Sequence, residues 1–307
     1  MQGRVLKTTG SWYTVLGEDE QLYKCTIRGK LRLKSSRTTN PVTVGDVVDF
    51  EVEGTDSTGT ISNVKQRRNY IIRRSSNLSR ESHVIAANID QAILVVTAEF
   101  PETKFEFIDR YLVTAEAYQI PAVLVFNKID LYKEHFNEKL KYYLSVYKPI
   151  YPCFQVSSQT GENIEKVKQL LAGKTSLISG NSGVGKSTLI NRIEPSLHLK
   201  TSDISHYHLK GKHTTTFSEM FPLSTGGFVI DTPGIKGFGL IDIDKRELFH
   251  FFPEIFKIAA KCQYNNCTHQ HEPGCAVKKA LENNEVSESR YYSYLSILLD
   301  QDSKYRG

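Results

Sequence analysis

Nine consecutive residues, Gly180-Asn181-Ser182-Gly183-Val184-Gly185-Lys186-Ser187-Thr188, have the composition and spacing to hold a chain of phosphates. They fit G-x-x-x-x-G-K-S at every fixed position. The glycines let the backbone turn tightly and bring successive N–H groups against an anion. A helix starting here adds its N-terminal dipole. Lys186 supplies a point charge to the β- and γ-phosphates, and the Ser187 hydroxyl is placed to ligate Mg2+. Forty-four residues beyond Ser187 stands Asp231-Thr232-Pro233-Gly234. Asp231 can hold Mg2+ through water, and the Gly234 N–H can report on the γ-phosphate. Between them, Gly211-Lys212-His213-Thr214-Thr215-Thr216 has the position of a mobile loop. Thr215, with Thr214 as the alternative, can complete the Mg2+ shell when triphosphate is bound.

A second constellation precedes the first. Asn127-Lys128-Ile129-Asp130 follows a short apolar run. The Asp130 carboxylate can accept two hydrogen bonds from the N1–H and N2–H2 edge of guanine. Adenine offers no matching donor pair, so against ATP a buried carboxylate would stay unpaired. Lys128 can lay its stem along the base. Ser157-Ser158-Gln159-Thr160-Gly161 comes next and can support the guanine O6 side through a backbone N–H. The parts of a GTP-hydrolysing site are therefore present in rotated order: base loops, phosphate loop, then two switch segments. Whatever follows Gly234 is attached to the second switch. Ile235 stands where many such proteins carry a water-orienting glutamine. Slow intrinsic hydrolysis is expected, with a partner completing the site. Such a partner is worth about 10³–10⁵ in rate. His213 is the candidate water-positioning residue, and a loop histidine facing RNA or solvent is the alternative.

A third set, Cys262-x4-Cys267-x-His269-x5-Cys275, offers three thiolates and an imidazole. Soft sulfur with one nitrogen suits tetrahedral Zn2+, and four protein ligands make the site structural. His271 is a rival ligand on spacing alone. Such a site supplies roughly 10–16 kcal/mol of apparent binding free energy to a segment too short to fold alone.

These residues need elements to carry them. Residues 1–72 read as five short strands (3–8, 11–16, 21–27, 47–52, 59–64) separated by turn signals, which predicts a small antiparallel barrel. A polar stretch, Ser75–Ser82, reads as a linker. From about residue 90, apolar strands at 90–98, 122–127, 151–157 and 175–179 alternate with helical periods at 105–118, 137–147 and 163–171. That alternation predicts a parallel sheet covered by helices on both faces. A further helix at 187–193 and a strand at 228–230 place both phosphate-side motifs at strand ends. The expected domains are 1–72, 73–240 and 241–307.

The 307 residues are ordinary for a globular protein, with 39% hydrophobic and 24% charged side chains. The beginning, MQGRVLKTTG, lacks an apolar run, so no secretory leader is expected. No apolar run approaches the roughly 20 residues of a membrane helix. A cytoplasmic location follows. Five cysteines are too few and too unevenly placed for a disulfide framework, and Cys25 and Cys153 read as buried inert thiols. The net charge of +5 is lopsided: residues 1–80 carry 14 Lys/Arg against 8 Asp/Glu, and the remainder 25 against 26. That excess points to a polyanionic partner for the first segment. In Arg28-Gly29-Lys30-Leu31-Arg32-Leu33-Lys34 the basic residues alternate, which on a strand puts them on one face. A stripe like this suits a phosphate backbone, and a charged edge that discourages aggregation is the alternative. Trp12, Tyr13 and Tyr23 could stack on bases or pack in a core.

A small barrel, rotated GTPase motifs (Asn127–Asp130, Gly180–Thr188, Gly211–Thr216, Asp231–Gly234) and a Cys-x4-Cys-x-His-x5-Cys module together resemble the bacterial small-subunit-dependent, circularly permuted GTPase family. The resemblance covers nearly the whole chain. It implies a circularly permuted P-loop GTPase domain, an N-terminal OB-fold that contacts rRNA, and a C-terminal helical zinc module that helps grip the subunit. GTP or GDP, Mg2+ and one structural Zn2+ are the implied ligands. The implied activity is slow GTP hydrolysis stimulated by the 30S subunit, late in its maturation. The implied partners are the 30S subunit with its rRNA and ribosome-binding factor A, which is released. A monomer is expected. The family usually has Arg where this chain has Lys212, which keeps the charge and loses the planar fork. Two other readings compete: a nucleotide-dependent rRNA-binding module whose hydrolysis is incidental, and an ATP-driven enzyme, which Asp130 disfavours.

Overall fold

The protein is described from a computed structural model covering residues 1–29, 41–54, 57–74, 82–132, 136–199, 218–231 and 244–299. Alternating apolar residues in the first five strands fold inward and close a barrel. The strands are β1 (Gln2–Thr9), β2 (Trp12–Gly17), β3 (Leu22–Ile27), β4 (Val47–Glu53) and β5 (Thr58–Val64). They pair in the order 1-2-3-5-4, and β4 returns to β1. Among the described barrel strands, β3 and β5 alone run parallel, a departure from the antiparallel barrel expected. Val5, Val15, Cys25, Val48, Phe50 and Ile61 fill the inside. This is the five-stranded barrel the spacing predicts, with strand ends shifted by a residue or so.

Three strands lie outside those the sequence pattern predicts. β6 (Tyr70–Arg74) and β7 (Ser82–Ala87) pair antiparallel, so the flanks of the stretch read as a linker are zipped together. β12 (Glu219–Pro222) is a short antiparallel strand between β13 (Phe228–Asp231) and the barrel. Its residue Glu219 registers with Lys7 of β1, which makes barrel and central sheet continuous.

The central sheet runs β10-β9-β8-β11-β13-β12, where β8 is Gln91–Val96, β9 Ala122–Phe126, β10 Cys153–Gln155 and β11 Thr175–Ser179. All neighbours but β12 are parallel. Helices α1 (Phe105–Ala117) and α2 (Asn137–Tyr147) cover one face, and α3 (Ile164–Leu171) and α4 (Lys186–Ile193) the other. The pleat sorts the strands accordingly. Ala92, Leu94 and Val96 join Ile108, Leu112 and Tyr143, while Ile93 and Val95 join Val167, Leu189 and Ile190. Both faces are buried, which is why β8 and β9 read as unbroken apolar runs.

The last part packs α5 (Pro253–Ala259), α6 (Ala276–Glu282) and α7 (Glu288–Leu299) into a separate small core. It leans on α1 through Val113 and through a buried cation. Arg290, fully buried, reaches Asp109 of α1 at 2.8 Å and Glu254 of α5 at 2.7 Å. Its guanidinium also lies 4.6 Å from the Phe252 ring centre. Among the described residues no helix is long and apolar enough to cross a membrane.

Candidate nucleotide site and metal centre

Parallel strands deliver their following loops to one edge. Residues 127–130 follow β9, 156–161 follow β10 and 180–185 follow β11. The backbone of Asp231 ends β13 beside Ile178, two residues ahead of Gly180. Rotating the order of the motifs along the chain therefore leaves their places on the sheet unchanged.

The phosphate loop needs its glycines for space as well as for rotation. Gly180 has φ +147°, and a Cβ there would stand 2.3 Å from the Val95 carbonyl oxygen. Gly185, at φ +93°, precedes α4, and a Cβ would stand 2.4 Å from Asn127 Nδ2. That closeness reflects a knot. The Asn127 amide, 0% exposed, donates to the Val184 carbonyl at 2.8 Å and to Ser158 Oγ at 3.0 Å. Its oxygen accepts the Ser158 N–H at 2.9 Å. One side chain thus ties both base loops to the phosphate loop. Arg192 of α4 adds a second tie, donating to the carbonyls of Ser158 and Gln159 at 3.2 and 2.7 Å. Ser157 Oγ accepts the Thr160 N–H and shapes the second base loop.

Inside the phosphate loop, Lys186 Nζ donates to the carbonyls of Gly180 and Asn181 at 2.5 and 2.9 Å. The ammonium therefore stays within the loop it serves. Ser187 is buried in the first turn of α4; Ser182 and Gly183 are exposed, and Thr188 half-buried. At the base end, Asp130 lies in a 3-10 turn (Ile129–Tyr132), and its Oδ1 is buried with no hydrogen-bond partner among the described residues. A buried carboxylate oxygen left unpaired is unfavourable until a donor arrives, and guanine brings two. Lys128 is half-buried. Desolvation lowers its pKa and the Asp130 charge opposes that. His213, Thr215, Thr214 and Gly234 lie outside the described residues, as do Lys30, Arg32 and Lys34 of the basic stripe.

In the last module, Cys262, Cys267, His269 and Cys275 bring one ligand atom each to within 4.8 Å of one another. His269 presents Nδ1, 3.7 Å from Cys262 Sγ and 3.5 Å from Cys275 Sγ. Ligand–ligand edges of roughly 3.5 Å suit a tetrahedral Zn2+ with Zn–S near 2.3 Å. His271 is exposed and not in the cluster. Burial pushes the Cys267 thiol up to about 12, so a bound cation must displace its proton. The turn that presents His269 is held by Glu272. Its carboxylate accepts from the Thr268 N–H and hydroxyl at 2.6 Å and from the Gln270 N–H at 3.0 Å. Tyr291 and Tyr294 of α7 donate to the His269 and Thr268 carbonyls at 2.7 and 2.8 Å. None of these supports was read from the sequence: Glu272 carries no spacing signal, and the tyrosines look like ordinary core residues.

The basic first segment is more self-satisfied than its composition suggests. Lys7, Arg28, Lys65, Arg67 and Arg68 pair with Glu219, Glu51, Asp49, Asp46 and Asp90. Tyr13 and Tyr23 belong to the barrel core, which removes them as stacking candidates. Trp12 remains, 41% exposed, with Lys24 Nζ 4.4 Å from its ring centre.

Comparison with known proteins agrees with this geometry. The RsgA GTPase family profile matches residues 64–241, and the RsgA N-terminal domain profile matches residues 2–61. The chain belongs to the RsgA GTPase family. A relative from Bacteroides fragilis, the small ribosomal subunit biogenesis GTPase RsgA, is 55% identical over 308 residues, covering 100% of this chain and 99% of its own length. The RsgA of Christiangramia forsetii is 52% identical, covering 100% of this chain and 98% of its own. Among solved structures, YjeQ from Thermotoga maritima superposes with a TM-score of 0.80 at 37% identity, over 97% of this chain and 96% of that one. YloQ, described as a circularly permuted GTPase, superposes at 0.74 and 29% identity, over 97% and 93%. The fold of this RsgA-family chain is thus a permuted GTPase domain between an OB-type barrel and a helical module with a Cys3His cluster.

Proposed function

We propose that this protein binds guanine nucleotides, hydrolyses GTP slowly, and acts on the small ribosomal subunit during its late maturation in the cytoplasm. The observation that carries this reading is the Asn127 knot beside the Asp130 oxygen, which has no partner among the described residues. It joins a base reader and a phosphate loop into one cleft.

In this reading Asp130 pairs with the guanine edge, and Lys128 covers the ring. The loop N–H groups of residues 180–188 and Lys186 neutralise the phosphates. Ser187 and Thr215 would hold Mg2+, with Asp231 reaching it through water. Gly234 senses the γ-phosphate. Mg2+, when bound, would neutralise phosphate charge. His213 orients the attacking water, a task Ile235 cannot perform. Cys262, Cys267, His269 and Cys275 hold one structural Zn2+. The barrel meets rRNA with Trp12 as a stacking platform. The names of the relatives support the subunit as partner. Release of ribosome-binding factor A belongs to the same proposal.

Turnover measured with and without 30S subunits tests the reading, together with co-sedimentation in GDP and in a non-hydrolysable GTP analogue. Stimulation and tighter 30S binding in the triphosphate state are expected. Turnover that ignores the subunit would instead make the protein a nucleotide-controlled RNA-binding module.

A further inference from the structure

The connection between β8 and α1, residues 97–104, has no part in the site as described, yet it touches both halves of it. On one side the Phe100 carbonyl accepts a hydrogen bond from Lys128 Nζ at 2.5 Å. On the other the Pro101 ring backs the phosphate loop, its Cδ lying 3.4 Å from where a Cβ on Gly183 would stand.

The connection is itself held from several directions. The Thr103 N–H donates to the Thr97 carbonyl at 2.9 Å, and the Thr97 N–H donates to Thr103 Oγ1 at 3.1 Å. The Thr97 hydroxyl donates to the Pro101 carbonyl. The Tyr132 hydroxyl donates to the Glu99 carbonyl at 3.0 Å. Lys139 of α2 bridges Glu99 and Glu102 at 2.5 and 3.1 Å. Phe100 holds φ +59°, a left-handed conformation that a bulky residue keeps only when its surroundings impose it. Its ring meets Phe136 edge-on at 5.2 Å.

We propose that residues 99–101 form a positioning wall of the nucleotide site: the Phe100 carbonyl anchors the Lys128 head, and Lys139 and Tyr132 are the positioning residues that hold that carbonyl in place. The proposal rests on the guanine-nucleotide reading above. Its physical basis is preorganisation. A loose lysine stem loses rotamer freedom when it covers a base, whereas a stem already fixed at its head has less to lose. The wall's own side chains need not touch the nucleotide.

The test is a double-mutant cycle on the full-length protein, read by titration with a fluorescent GDP analogue. Lys139 is 31% exposed, so Lys139→Met removes the bridge to Glu99 and Glu102 with little disturbance of the core. It is expected to weaken binding about three- to tenfold. Lys139→Arg keeps the charge and is expected to restore most of the affinity. In a Lys128→Ala background Lys139→Met should have no further effect, because the group it positions is gone. Tyr132→Phe should behave the same way, as an independent arm. Additive losses in both cycles, or wild-type affinity in Lys139→Met and Tyr132→Phe, would overturn the wall. Asp130→Asn, measured in parallel, separates this from the parent reading. An amide at residue 130 should turn preference from guanosine to xanthosine diphosphate. If it does not, the guanine reading fails; if it does while the cycles are additive, only the wall falls.

Discussion

The nucleotide cleft and the Cys3His module solve the same problem, holding polar groups at fixed positions, in opposite ways. The cleft hangs from the carboxyl edge of a sheet whose strands β8, β9 and β11 are wholly buried. That sheet folds by apolar burial, and the loops inherit their places from it. The module has a smaller core of its own and encloses its thiols and imidazole within it. There the polar groups, once metal-bound, contribute to folding rather than depending on it. The cleft is a product of its domain; in the proposed reading, the metal centre is part of the cause of its domain.

Removing the metal gives the largest expected effect. Chelation or Cys267→Ser should forfeit much of the roughly 10–16 kcal/mol that such a site supplies. Hydrogen exchange over residues 262–275 should then rise sharply while GDP still binds. Loss of GDP binding together with the module would break the comparison. Next is the joint between the regions. Arg290→Met leaves the buried Asp109 and the half-buried Glu254 without their cation, and should destabilise by about 3–5 kcal/mol in urea unfolding. Asn127→Ala, inside the cleft, strips the Val184 carbonyl and the Ser158 N–H of their partner. A loss of about 1–3 kcal/mol is expected, read as weaker GDP binding with the metal module unchanged.

The smallest effect is a pH dependence. Glu194, just past α4, accepts from the Ser196 hydroxyl and from the Ser224 N–H at 2.7 and 2.6 Å. These hydrogen bonds hold its carboxyl at about 2, below the unfolded value of about 4.3. Its stabilisation is therefore complete above about pH 4.3 and fades as pH falls toward 2. Glu194→Gln should flatten the urea midpoint against pH across that window. An unchanged slope would show that the tie between α4 and the β12–β13 turn carries no weight.

Much of the cleft was legible because glycine, lysine and carboxylate spacings report local chemistry. Strand periods, too, survive the rotated order of the motifs. β10 spans Cys153–Gln155, shorter than the apolar stretch 151–157 that marks it in the sequence. The Asn127 knot was half legible: the residue stood in a motif, but its partners lie 31 and 57 positions away. β6, β7 and β12 carry no clear signal because strands this short are defined by their partners and have little period of their own.

The sequence by itself determined which atoms can meet a phosphate, a guanine edge or a soft metal, since those are properties of side chains and short spacings. Tertiary structure alone decided that His269 rather than His271 faces the thiols, and that Tyr13 and Tyr23 serve the core. It also decided that most of the first segment's described basic groups answer acids within the chain. In each case the deciding quantity is a distance across the fold or a degree of burial, and neither is written in the order of residues.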